Sequence, residues 1–216
     1  MSKRIVGIIL AFFGMVLAVI AAVFGIDLGG GDGANGSLPY ISLSDQQEVE
    51  DWYDIYFTNP SCPPEEERVG GLDETIAADL ATAEVRVDVA AFELDSETLA
   101  DALIALEARG VPVRVVTDED FGEERSVRRL RRGGISVVED DRRALMHNKF
   151  IVIDGRITYT GSMNFSSNGI YCNNNNLVRI DSPRLAANYI AEMDEMYNDR
   201  SFGPTSPINT PNEQLT

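Results

Sequence analysis

His147-Asn148-Lys149-Phe150-Ile151-Val152-Ile153-Asp154 and, a few residues later, Gly161-Ser162-Met163-Asn164 decide how this chain is read. His147 is the only histidine, and lysine occurs only at Lys3 and Lys149; every other cation is an arginine. Phe150 to Ile153 is an apolar, β-branched run, the pattern of a buried strand. Residues i and i+2 of a strand share a face, so His147 and Lys149 project together from its start. Asp154-Gly155 suits a type I′ hairpin turn, and Ile157-Thr158-Tyr159-Thr160 reads as the returning strand. Ser162 and Asn164 alternate onto one face where that strand ends. The hairpin thus gathers an imidazole, an ammonium, a hydroxyl and an amide, a set suited to a phosphoryl group. Imidazole attacks phosphorus or carries protons near neutral pH. Lysine offers a point charge to phosphate oxygens, and Ser and Asn donate hydrogen bonds to developing charge.

Upstream, Trp52 to Asn59 alternates and is aromatic, which predicts a first strand broken by Pro60-Ser61-Cys62-Pro63-Pro64. Leu72 to Ala83 has helical spacing, and Val85 to Phe92 is a valine-rich strand. Asp95 or Ser96 can cap a helix over Glu97 to Ala108, which Gly110 ends, and Val111 to Thr117 is the next strand. This βαβ run predicts a mostly parallel sheet with helices packed on it. Downstream, Phe165-Ser166-Ser167-Asn168-Gly169 suggests a helix N-terminus beside the phosphate, where exposed N–H groups favour an anion. Asn173 to Asn176, a strand over Leu177 to Ile180 and a helix over Pro183 to Tyr197 complete the core of the chain.

The spacing His-x-Lys-x4-Asp-x6-Gly-Ser-x-Asn resembles the signature of the phospholipase D superfamily, the HKD phosphodiesterases. Gly110-Val111-Pro112-Val113-Arg114-Val115-Val116-Thr117-Asp118 looks like the corresponding strand of single-motif nucleases and phospholipase D half-domains. The resemblance spans roughly residues 53–197. It implies an α/β fold, a phospholipase D/nuclease-type α-β-α sandwich with a mixed, mostly parallel sheet. It also implies a two-step, metal-independent cleavage of a phosphodiester. His147 would be the nucleophile that forms a phosphohistidine, Lys149, Ser162 and Asn164 would hold the phosphate, and Asp154 would complete the catalytic motif, largely as support. No cofactor is implied, and no Cys/His spacing suits a metal.

One position departs from the family pattern. Relatives commonly carry a glutamate about a dozen residues past the Gly-Ser pair, where it orients the histidine. That place falls on Asn175, which can accept a hydrogen bond from imidazole but cannot balance an imidazolium charge; the other reading of the asparagine run is a polar loop. The family reaction uses two histidines, and this chain has one. The resemblance therefore implies a homodimer about a two-fold axis, or a second HKD half-domain beyond the Pro- and Thr-rich tail.

The formal net charge of −17 argues against a surface that coats nucleic acid. Arg125, Arg128, Arg129, Arg131 and Arg132 form a basic island, with Arg142 and Arg143 just before the catalytic strand. It is either a rim for an anionic substrate or a solvated helix face paired with Glu123, Glu124, Glu139, Asp140 and Asp141. Cys62 and Cys172 can pair in an oxidising compartment or remain two reduced thiols. Residues 5–26 carry no charge and follow Lys3 and Arg4, as in a membrane-spanning helix or, alternatively, a signal segment. The positive flank predicts a cytoplasmic N-terminus and an extracytoplasmic domain.

The expected layout is a membrane anchor or signal at 1–26, a Gly-rich tether at 27–47, a catalytic domain at 48–200 and a tail or linker at 201–216. An anchor would make the membrane a partner and raise the effective concentration of pairing copies. Three functions fit these observations. One is a membrane-anchored phospholipase D-type hydrolase of phospholipids, and a second is a single-motif endonuclease of DNA or RNA. The third is a weak or inactive, membrane-tethered module that binds phosphate.

Overall fold

The computed structural model describes residues 52–203. The chain divides into two units, Met1–Gln47 and Glu48–Thr216, and the described residues belong to the second. Its strands are β1 (Tyr53–Phe57), β2 (Val87–Ala91), β3 (Val113–Asp118), β4 (Ser136–Asp140), β5 (Lys149–Ile153), β6 (Ile157–Gly161) and β7 (Asn176–Asp181). Its helices are α1 (Leu72–Leu80), α2 (Glu97–Ala108), α3 (Arg125–Arg132), α4 (Ser167–Tyr171) and α5 (Pro183–Tyr197).

The strands form one sheet in the order β1-β7-β6-β5-β2-β3-β4. Only β2–β3 and β3–β4 are parallel; β5 pairs antiparallel with β2 and β6, and β7 antiparallel with β6 and β1. The expected mixed, mostly parallel sheet is mixed, but four of its six pairings are antiparallel. The reason is local. Crossover helices α2 and α3 return the chain for parallel pairing, whereas the three-residue connection Asp154-Gly155-Arg156 can only send it back antiparallel. Asp154 and Gly155 both have positive φ, 54° and 65°, as a type I′ turn requires. Strand β4 was not anticipated: its acidic end hides it in the sequence, and its residues gain their partners from β3, Arg114 opposite Ser136 through Asp118 opposite Asp140.

Helices α2 and α5 begin where their caps dictate. Ser96 accepts from the Leu99 N–H at 3.2 Å, and Ser182 accepts from Leu185 at 3.3 Å with Pro183 opening the helix. Strand alternation then divides the core. Val87, Val89, Ala91, Ile151 and Ile153 pack beneath α1, α2 and α3 with Ile76, Leu80, Leu103, Leu106 and Leu130. Ala90, Phe150 and Val152 pack on the other face against Ala186, Met193 and Met196 of α5. Fully burying each such large side chain contributes about 2 kcal/mol. Phe202 belongs to this second core, so packing continues past the expected domain boundary at residue 200. The expected anchor at 1–26, the tether at 27–47 and the tail from residue 204 lie outside the described residues.

The register of β5 is set at its far end. The Asp154 carboxylate accepts backbone N–H groups of Glu84 at 2.9 Å, Val85 at 2.8 Å and Arg86 at 3.0 Å. Its own N–H donates to the Arg86 carbonyl at 2.8 Å. Burial works to raise the Asp154 carboxyl, but these backbone donors outweigh it and hold the carboxyl below its ordinary value. Asp154 lies five residues from Lys149, roughly 16 Å along a strand. Its place in the catalytic set is therefore corrected: it anchors the strand and does not reach the reacting end.

Asp154→Asn should lower the unfolding free energy by about 2 kcal/mol in a urea titration at neutral pH, because the amide nitrogen that replaces one carboxylate oxygen cannot accept from Glu84 and the charge that the other two donors favour is gone. The carboxyl's folded-state value is depressed, so its contribution is complete above about pH 4 and is lost as pH falls through that lower value. The gap between wild type and variant should accordingly close in strong acid.

Candidate active site

At the opposite end of β5 the same register sets Lys149 across from Ala91 of β2, and the Phe92 N–H donates to the Asn148 carbonyl at 2.9 Å. Phe150 pairs with Thr160, so the start of β5 and the end of β6 lie side by side. At that end Gly161 has φ 150°, and a Cβ there would collide with the Asn176 carbonyl. The next two N–H groups, of Ser162 and Met163, both donate to that carbonyl, at 3.2 and 3.3 Å. Glycine is needed at this position so that the chain can pass the Asn176 carbonyl as it leaves the sheet at the end of β6.

Lys149 is buried, 9% exposed. Its ammonium donates to the His147 carbonyl at 3.1 Å and lies 5.0 Å from the Phe92 ring centre. No carboxylate of a described residue lies within ion-pair distance of it. Burial lowers the Lys149 pKa, and the field of Glu93 works against that fall. The exposed His147 ring packs edge-on against Phe92, centroids 4.6 Å apart, and makes no hydrogen bond to a described residue. One aromatic ring thus packs against both the His147 ring and the Lys149 ammonium.

The remaining predicted residues are placed less simply. Asn164 donates to the Glu93 carboxylate at 3.1 Å, as does Ser166 at 2.9 Å, and the Asn164 side-chain oxygen is buried without a partner. Ser162 donates to the Asn175 side-chain oxygen at 2.9 Å and accepts from the Asn176 N–H at 3.1 Å. Asn175 also donates to the Gly169 carbonyl at 2.8 Å, so its expected bond to the histidine is corrected: it supports Ser162 instead. The helix N-terminus expected to hold an anion is already filled. Ser166 accepts from Gly169, and Asp95 accepts from Ser167.

The arginine rim is also corrected. Arg129 pairs with Glu97 and Asp101, Arg131 with Glu139 and Glu123, Arg128 with Glu123, and Arg125 with Glu97. Arg132 makes no ion pair among the described residues. The island is a helix face whose charge is largely balanced by its neighbours, and Arg142 is likewise held by Asp140 at 2.8 Å. Cys62 and Cys172 form a disulfide that closes a separation of 110 residues. It ties the loop after β1 to the end of α4, where the Cys62 N–H also donates to the Tyr171 carbonyl at 2.8 Å.

Sequence reasoning missed Phe92 and Glu93. Their signal was position: both directly follow β2 at its carboxyl end, where α/β sheets place ligands.

A family model described as "Cardiolipin synthase, PLD-like domain" matches residues 76–197. The chain belongs to the phospholipase D superfamily. Mitochondrial cardiolipin hydrolases are similar to it. That of Chlamydomonas reinhardtii is 30% identical over 121 residues, covering 55% of this chain and 54% of the relative. That of Homo sapiens is 32% identical over 130 residues, covering 58% and 50%. A phospholipase D of Rickettsia conorii is 31% identical over 122 residues, covering 56% and 61%. The chain thus spans between half and about three fifths of the length of these relatives. Among solved structures, the phospholipase D family member Nuc of Salmonella typhimurium superposes with a TM-score of 0.57 at 22% identity, covering 68% of this chain and 95% of that one. That likeness is one of fold.

These findings overturn the expected single-pass, extracytoplasmic placement. Among the described residues no helix is long and apolar enough to cross a membrane, and the cardiolipin hydrolases bear a mitochondrial name. Residues 5–26, on which that expectation rested, lie outside the described residues.

Glu93→Gln removes the charge that opposes the fall of the Lys149 pKa while leaving an acceptor for Asn164 and Ser166. The protonated ammonium should then be lost at lower pH. The alkaline limb of the pH–rate profile should move toward acid, with the acid limb and the thermal stability little changed. An unmoved alkaline limb would dissociate Glu93 from Lys149.

Proposed function

We propose that this protein is a phosphodiester hydrolase of the phospholipase D type, acting on phospholipids through a histidine nucleophile. The observation that carries the reading is the buried Lys149 ammonium, which has no carboxylate partner among the described residues. Burying an unpaired charge costs several kcal/mol unless an anion offsets it. A phosphate at the joined ends of β5 and β6 supplies that anion beside the imidazole of His147; to hydrogen-bond it, Ser162 exchanges its bond to Asn175, and Asn164 uses the amide hydrogen not given to Glu93. In the first step an imidazole nitrogen of His147 forms a bond to phosphorus as the bond to the leaving alcohol breaks. In the second, water attacks the phosphohistidine, the P–N bond breaks, and the phosphomonoester departs.

The leaving oxygen needs a proton, and His147 is spent as nucleophile. A second copy of the chain, related by a two-fold axis, provides the other imidazole as acid and then as base for the water. The names of the curated relatives support a lipid substrate, and the paired arginines of α3 leave little free positive charge for a nucleic-acid backbone.

Hydrolysis of bis(p-nitrophenyl) phosphate in excess EDTA should proceed with wild type. It should fall by about a thousandfold or more in His147→Ala, whose folding should be unchanged because the ring is exposed. Activity retained by that variant, or abolished by EDTA in the wild type, would contradict the mechanism.

A further inference from the structure

Two clefts adjoin beside β1, and Ser162 is the residue of the motif that lines one of them. The first, about 220 Å³, holds Ser162 and Asn174 to Asn176. The second, about 350 Å³, extends over Asn59, Ser61, Glu67 and Tyr171. Phe57 and Thr58 line both, so the two clefts adjoin at the end of β1. Phe57 and Val69 stand exposed at the lip of the second cleft, at 75% and 76%.

The wall of this groove is built to stay in place. Thr58 donates to the Asn173 carbonyl at 2.6 Å and accepts from the Asn175 N–H at 2.8 Å, and its own N–H donates to the Asn175 carbonyl at 3.0 Å. The Cys62–Cys172 disulfide fixes the same loop one turn further on. A surface loop is ordinarily free to vary; this one is clamped against the asparagine run by both hydrogen bonds and a covalent link. Rigid walls of this kind preorganise a binding site.

The groove's chemistry is one-sided. Its polar lining consists of hydroxyls, amides and one carboxylate, Glu67, and among the described residues no lysine or arginine lines either cleft. The nearby Arg68 is turned away and donates to the Pro63 carbonyl at 3.1 Å. Such a lining hydrogen-bonds a small hydroxylated alcohol and repels a second phosphate.

We propose that this groove is the headgroup subsite, and that it selects phospholipids with an uncharged, hydroxyl-bearing headgroup over those bearing a second phosphate. The inference rests on the hydrolase reading and adds the substrate class to it. A glycerol headgroup fits; cardiolipin, whose headgroup carries a further phosphodiester, is disfavoured by Glu67 and by the absence of a cation to receive it. A nucleic-acid strand is disfavoured for the same reason.

The test compares kcat/KM of the full chain on phosphatidylglycerol, on cardiolipin and on methyl p-nitrophenyl phosphate, the lipids in neutral-detergent micelles. Wild type should prefer phosphatidylglycerol to cardiolipin. Glu67→Lys should shift that ratio toward cardiolipin by about tenfold. Ser61→Trp, at an exposed position that fills the groove, should lower the phosphatidylglycerol rate by about tenfold and leave the chromogenic diester within about twofold. A wild-type preference for cardiolipin would overturn the proposal. So would a ratio unmoved by Glu67→Lys, or a Ser61→Trp variant of unchanged thermal stability that treats both phosphatidylglycerol and the chromogenic diester as wild type does. Turnover of the chromogenic diester with no lipid preference would sink the subsite alone; no turnover of any of the three would sink the hydrolase reading and the subsite with it.

Discussion

Three backbone N–H groups, from Glu84, Val85 and Arg86, close on the Asp154 carboxylate, and the placement of the catalytic motif follows from that contact. A strand has a side-chain period of two, so a slip of one residue would turn every side chain of β5 to the opposite face. Lys149 would leave the Phe92 ring, and Ile151 and Ile153 would leave the core beneath α1 and α2. The clamp at one end of the strand therefore decides what stands at the other. Asp154 sits within the same short motif as His147 and Lys149 without sharing their chemistry.

The reacting end depends on a second constraint, the burial of a cation. Lys149 is held under Phe92 and against the His147 carbonyl, with Glu93 near enough to influence its proton but too far for an ion pair. Had a carboxylate closed on it, the site would be neutral and a phosphate would have to displace it. Glu93 instead binds Asn164 and Ser166. It sets the amide in place while keeping part of the charge on the lysine.

Much of this was legible in the sequence, for physical reasons that differ by element. The β5–β6 hairpin was readable because its turn residues and its apolar run each specify one geometry. Helices α2 and α5 were readable because Ser96, Ser182 and Pro183 mark their starts. The antiparallel half of the sheet was misjudged because local βαβ patterns carry no information on which strand a hairpin joins. Strand β4 escaped because tertiary pairing with β3, not alternation, makes it a strand. The arginine island was ambiguous because its partners are divided: Arg128 and Arg131 meet Glu123 and Glu139 from the adjacent acidic residues, whereas Arg129 meets Glu97 and Asp101 on another helix. Asn175 met Ser162 and not the histidine, and Glu93 went unread, for a similar reason: which polar group meets which is decided by packing, and spacing along the chain does not report it.

The central claim is that His147 carries the phosphoryl group. The most direct measurement is rapid mixing with a slowly released phosphodiester, quenching in alkali, where phosphohistidine survives, and mass analysis of the peptide that contains residue 147. The account predicts a phosphoryl-substituted adduct on His147 that appears during turnover and decays as substrate is exhausted. Turnover without any adduct at His147, under conditions that preserve phosphohistidine, would contradict it.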